Sequence, residues 1–182
     1  MRLKALAIYK IPLLISLTLS IVLIALKLEN DALAFAQIFI GSFLGVFVLD
    51  ADYLLHTYFL EPEDEFSKSV SGYFKHRDLG GALAFIYHNR HTVSEKTLHS
   101  FLFQIVLLGA CVFIIVSSNT NLLIQSLVLS TFVNSFYRMI EFYFDAKIDE
   151  WFWVLKNQPS KKFLIVYCAL LIGAFVYFLR SF

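Results

Sequence analysis

The chain has 182 residues, of which 59% are apolar and 16% charged, with a formal net charge of +1. Soluble domains run at about 45–50% apolar and about 25% charged, so this composition excludes an ordinary soluble domain of that length, whose interior cannot hide so much apolar surface. The balanced charge gives no electrostatic reason to expect nucleic acid as a partner.

An all-α polytopic membrane bundle is predicted, built as a single domain over residues 1–182. A crossing of about 30 Å of hydrocarbon needs about 20 apolar residues. Five segments qualify. The first spans residues 11–26. Arg2, Lys4 and Lys10 precede it in the manner of a signal peptide, but no small-residue cleavage site follows, so a retained helix is expected. The second spans 32–49, extending to 60 if Asp50, Asp52 and His56 are sheltered. Its Gly41 and Gly45 form a small-xxx-small pair suited to close helix packing.

A connection over residues 61–98 follows. Phe66, Val70, Tyr73 and Phe74 recur in it at helical spacing, and Asp78 is placed to cap a second short helix with Leu83, Ile86 and Tyr87 on its apolar face. Amphipathic helices of this kind lie on a membrane interface or cover a bundle. The third, fourth and fifth spans are predicted over 99–116, 122–140 and 163–179. Trp151 and Trp153 read as an interfacial anchor before Pro159. Cys111 and Cys168 fall inside apolar runs and read as buried thiols acting as small hydrophobes.

Five spans place the N-terminus, the 61–98 connection and the 138–162 region on one side. Together these hold 13 of the 15 basic residues, leaving only Lys27 and Arg180 opposite. The bias predicts a multi-pass protein of the cell (cytoplasmic) membrane with the N-terminus cytoplasmic and the C-terminus outside.

Ionisable groups at membrane depth are costly, and each is a functional candidate. Asp50, Asp52 and His56 lie near the cytoplasmic end of the second span. His99 and Ser100 open the third. Asn134, Arg138 and Glu141 lie in the cytoplasmic half of the fourth. Three helices thus bring polar groups to one depth. Asp50, Asp52, His56 and His99 are competent ligands for one divalent metal, whether zinc, magnesium or manganese. Asp52 and His56 share a helix face. Asp50 lies about 200° around from Asp52, at about 100° per residue, so the set converges only if the helix ends or unwinds near Asp50. The alternative is that these groups face water in the headgroup layer, with Arg138 paired to Glu141 or Asp145. His76, His88 and His91 read as loop residues.

The segments Gly45-Val-Phe-Val-Leu-Asp-Ala-Asp52 and Thr97-Leu-His-Ser-Phe-Leu-Phe103 resemble those of a family of bacterial membrane-bound metal-dependent hydrolases that includes an SOS-regulated inner-membrane protein. That family carries a D-x-D-H element, a T-H-S element and a later H-x-x-x-D element. Asp50, Asp52, His99 and Ser100 match. Tyr53 stands where the family has histidine, Ser94 and Glu95 replace a histidine and an arginine, and Asn134 and Arg138 occupy the last element. The resemblance implies a helical bundle with a metal site at the cytoplasmic edge and a hydrolytic activity, in a divergent subgroup.

On that reading the metal sits on Asp50, Asp52, His56 and His99, with Ser100 and Asn134 as supporting groups behind the ligands. Arg138 holds a phosphate-bearing or lipid substrate and Glu141 acts as general base. The competing reading is a non-catalytic membrane bundle that binds a lipid headgroup or a protein partner. A transporter requires polar residues through the middle of several spans, and hydropathy shows none.

Overall fold

The computed structural model describes residues 9–27, 31–93, 97–117, 121–155 and 159–182, and among them every regular element is a helix. Helix α1 spans Lys10–Lys27, with Pro12 in its first turn, where the missing amide costs nothing. Helix α2 spans Ala32–Val48, and the Asp31 side chain caps it by accepting the Leu33 amide. The chain then breaks at Leu49 and Asp50. Helix α3, Ala51–Leu55, runs on into a π-helical turn, His56–Leu60. Its axis is bent 51° from that of α2. The break falls near Asp50, where the sequence reading needs one if Asp50, Asp52 and His56 are to converge.

Helices α4 (Glu65–Lys75) and α5 (Leu79–His88) form the hairpin expected in the connection, and Asp78 accepts the Gly81 amide at 2.9 Å. Phe66 and Val70 of α4 bury against Tyr53, Ile86 and Val93 in a small apolar core of their own. Helices α6 (Phe101–Val116), α7 (Leu122–Phe144), α8 (Ile148–Trp151) and α9 (Lys161–Ser181) complete the chain, with Ser100, Asn121 and Ser160 capping α6, α7 and α9.

The closest helix contact is α2 against α7, and the small-xxx-small pair makes it. A Cβ on Gly41 would collide with Ser126 Oγ and the Leu123 carbonyl, and one on Gly45 would lie 2.7 Å from the Leu127 carbonyl and from Ser130 Cβ. With the backbones this near, hydroxyls reach across. Ser130 Oγ donates to the Ser42 carbonyl at 2.6 Å, and Thr131 Oγ1 to the Gly45 carbonyl at 3.3 Å. Helix α1 joins the pair through Ser16 Oγ, 2.8 Å from Ser130 Oγ, and Asn134 Nδ2 donates to Ser16 Oγ at 3.0 Å. Such bonds between apolar helices each contribute about 1 kcal/mol. A larger apolar core, including Phe132, Met139, Phe142, Tyr167 and Leu171, joins α6, α7 and α9.

Two helices, α1 and α9, are long and apolar enough to cross a membrane, and α2 with the bent α3 segment makes a third if taken as one span. Helix α6, with 16 residues, is about 24 Å long at about 1.5 Å per residue. Helix α7 has the length, 23 residues, but carries Arg138 and Glu141 in its last turns. Outward faces are strongly apolar: Ile165 is 70% exposed and Phe113 71%. Two expectations need correction. Trp151 is fully buried and donates its Nε1 to Gln104 at 3.3 Å, so only Trp153 is placed as a surface anchor. Cys111 is buried, but Cys168 is half-exposed.

Candidate functional site

Asp52 lies in the first turn of α3, facing the segment that enters α6. Its carboxylate accepts the amides of Thr97 at 3.0 Å, Leu98 at 2.9 Å and His99 at 3.1 Å. His99 Nδ1 stands 3.3 Å from the same carboxylate. Tyr53 packs on the His99 imidazole, with ring centroids 5.3 Å apart. The entry to α6 is thus folded around one buried anion, and the imidazole is held by its Nδ1 edge.

Asp50, at the break, turns elsewhere. It accepts the Tyr9 hydroxyl at 2.7 Å and lies 3.9 Å from Arg138 Nη2. Burial first, and the Asp50 charge second, push the Tyr9 hydroxyl well above its usual pKa, so it stays a donor. Arg138 also donates to Glu141 at 2.7 Å, and Glu141 accepts the Tyr137 hydroxyl at 3.0 Å. Arg90, from the connection, comes within 3.5 Å of Glu141 and donates to Asp145 at 2.6 Å. His91 Nδ1 lies 3.1 Å from Glu150. Tyr9, Asp50, Tyr53, Arg90, His99 and Arg138 border a cavity of about 10 Å³, the lower limit for a single water.

His56 faces a third set of partners. The π-type bond from the Glu61 amide to the His56 carbonyl, 2.9 Å, folds the chain back so that Glu61 follows directly on the histidine's own turn. Asp64 stands at the N-cap of α4 without using its side chain as a cap. Its carboxylate lies 3.9 Å from His56 Nε2. His56, Glu61 and Asp64 each offer a ligand atom, and these lie within 4.8 Å of one another. His56 is 7% exposed, and no hydrogen bond reaches its ring among the described residues.

These residues fit a metal ion. Bonds of about 2.0–2.2 Å in a tetrahedral site put ligand atoms about 3.4 Å apart, so modest side-chain rotations close the set. Of the three, His56 is buried, while Glu61 and Asp64 are exposed.

The chain matches no protein family, no curated protein and no solved structure. What the site can do therefore rests on its own chemistry.

The structure brings the expected site residues to one end of the bundle but divides the set. The alternative, in which Asp50, Asp52 and His56 face water, does not hold, since all three are buried. The expected Arg138–Glu141 pair is present, while Asp145 pairs with Arg90 instead. Asp50, Asp52 and His99 do not form a metal group with His56 among the described residues. The two oxygens of Asp52 are taken by amides, and a guanidinium flanks Asp50. Ser100 is the α6 cap, accepting the Phe103 amide and donating to the Thr97 carbonyl. Asn134 lies inside the bundle against Ser16 and Ser130. Arg138 and Glu141 are committed to each other. Ser94 and Glu95 lie outside the described residues. Glu61, Asp64, Tyr9 and Arg90 were not foreseen. The acidic run from Glu61 to Glu65, one turn beyond His56, was the available signal for the first two.

Proposed function

We propose that the chain is a five-span protein of the cytoplasmic membrane that binds one divalent metal ion at His56, Glu61 and Asp64, on its cytoplasmic edge, and hydrolyses a phosphoester or lipid substrate there. The observation that carries the reading is the convergence of three ligand atoms within 4.8 Å around an otherwise unbonded imidazole. Three protein ligands leave a coordination position open, the arrangement of catalytic rather than structural metal sites. When bound, the ion supplies Lewis-acid polarisation of a phosphoryl or carbonyl oxygen. The chain's own residues hold the pocket in place. Asp52 fixes the entry to α6, and the Arg90, Arg138, Glu141 and Asp145 pairs pin the connection onto the bundle. The two helices long and apolar enough to cross a membrane, outward apolar faces and the bias of 13 basic residues out of 15 support the membrane topology, with the N-terminus inside and the C-terminus outside. The resemblance to membrane-bound metal-dependent hydrolases points the same way, with the metal shifted from the matched aspartates to the turn beyond them.

The test is metal content of detergent-purified protein after loading with zinc, magnesium or manganese. About one ion per chain is expected in the wild type and in His99→Ala, and none in His56→Ala or Asp64→Asn. Phosphoester cleavage that follows the same residues completes the case. Metal-free wild type overturns it. A second reading, a non-catalytic bundle binding a headgroup or a partner protein, is favoured by one observation: the buried charges around Asp50 and Arg138 are already paired.

A further inference from the structure

Helix α9 stands away from the cytoplasmic half of α7 and leaves an open groove of about 510 Å³ between them. Met139, Tyr143, Ile148, Ile165, Cys168 and Ile172 are among its walls, and the lining is almost wholly apolar. Lys161 stands at one end. It is exposed, and it makes no ion pair among the described residues. From Lys161 to Ile172 the groove follows eleven helical steps, about 16 Å at about 1.5 Å each. One leaflet of hydrocarbon is half of about 30 Å, or about 15 Å. A cation at headgroup level above one leaflet's depth of apolar wall matches a single molecule in both length and charge.

We infer that this groove is a binding site for one anionic phospholipid of the cytoplasmic leaflet, with an acyl chain along α7 and α9 and its phosphate on Lys161. The inference rests on α9 crossing the membrane as proposed above. Tyr143, half-exposed beside the groove, is the kind of residue that sits at headgroup level. The apolar wall accepts any acyl chain, so Lys161 is the group that selects for charge. A basic residue at an anionic surface is worth about fivefold in affinity.

The experiment is native mass spectrometry of the protein taken from vesicles containing equal parts of phosphatidylglycerol and phosphatidylcholine. The wild type is expected to retain one phosphatidylglycerol in preference to phosphatidylcholine. Lys161→Ala is expected to lower that preference about fivefold. Ala169→Trp, which fills the groove from an exposed position, is expected to abolish retention of both lipids with unfolding temperature unchanged. Equal retention of the two lipids, or a preference untouched by Lys161→Ala, overturns the proposal. A second copy of the chain, lost in Ala169→Trp, overturns it in favour of a dimer contact. A chain released from vesicles by alkali without detergent overturns the membrane reading itself. A chain that needs detergent yet shows no lipid preference overturns this inference alone.

Discussion

Removing the Asp52 carboxylate strands three amide donors and one imidazole that no other described group is placed to satisfy. Asp52→Ala is expected to destabilise the fold by about 3–5 kcal/mol, since each amide donor left without its acceptor costs about 1–3 kcal/mol. Asp52→Asn, which keeps a carbonyl acceptor, should lose roughly half as much. Thermal unfolding in detergent measures both, and an Asp52→Ala protein as stable as wild type contradicts the role. Arg138 belongs to the same scale. Arg138→Met leaves Asp50 and Glu141 without the cation they share, and a loss of about 3 kcal/mol or more is expected from the same measurement. Residue-level reading of the sequence singled out these groups, because charge within an apolar run is expensive wherever it occurs. It found the Glu141 partner of Arg138 but not the partners of Asp50 and Asp52. Tyr9, Arg90 and His91 reach the cluster from segments whose approach depends on tertiary packing, and spacing along the chain does not carry that information. The helix does break at Leu49 and Asp50, but Asp50, Asp52 and His56 still take separate partners, so the convergence for which a break was the condition is not met.

Helix boundaries were mostly legible because apolar runs, caps and turns are local. Asp31, Asp78, Asn121 and Ser160 each accept an amide at the start of their helix. The contact between α2 and α7 is the element-scale feature with the sharpest consequence. Gly45→Val places side-chain atoms where the Leu127 carbonyl and Ser130 already lie. It should separate the helices, break the Ser130–Ser42 and Thr131–Gly45 bonds, and lower the unfolding temperature strongly or abolish folding. At Gly109, within α6, an added Cβ meets nothing within 4 Å, so Gly109→Ala should be neutral or stabilising by up to about 1 kcal/mol. Equal effects of the two substitutions contradict the packing described. Hydropathy missed what runs along α7: Ser126, Ser130, Asn134 and Arg138 recur every fourth residue, all buried. Serine scores near neutral on hydropathy scales, so a polar seam through the bundle leaves no dip. Polar groups do therefore reach the interior of α1, α2 and α7, against expectation, and they bond helix to helix. Trp151 was misplaced for a related reason. An indole at a span's edge looks interfacial until a buried acceptor, here Gln104, claims its N–H.

For the whole molecule, the exposed apolar faces of α1, α2, α6 and α9 have no counterpart in a soluble fold, and a bilayer is the solvent that makes them favourable. Composition made the membrane class legible from the start. The number of crossings was less so, because α6 is short and α7 ends in charge. Among those charges, Asp50 and Glu141 flank Arg138, and Arg90 in turn approaches Glu141. The proposed five-span topology sets the side on which His56, Glu61 and Asp64 are proposed to bind metal. The measurement that tests it most directly is labelling of single cysteines with a membrane-impermeant thiol reagent in intact cells, in a background with Cys111 and Cys168 replaced. Gly72→Cys reports on the α4 hairpin, and Ser118→Cys, outside the described residues, on the connection between α6 and α7. The account predicts that Ser118→Cys labels from outside and Gly72→Cys labels only after the cells are opened. If both positions stay protected until then, α6 and α7 do not cross, and the five-span bundle is contradicted.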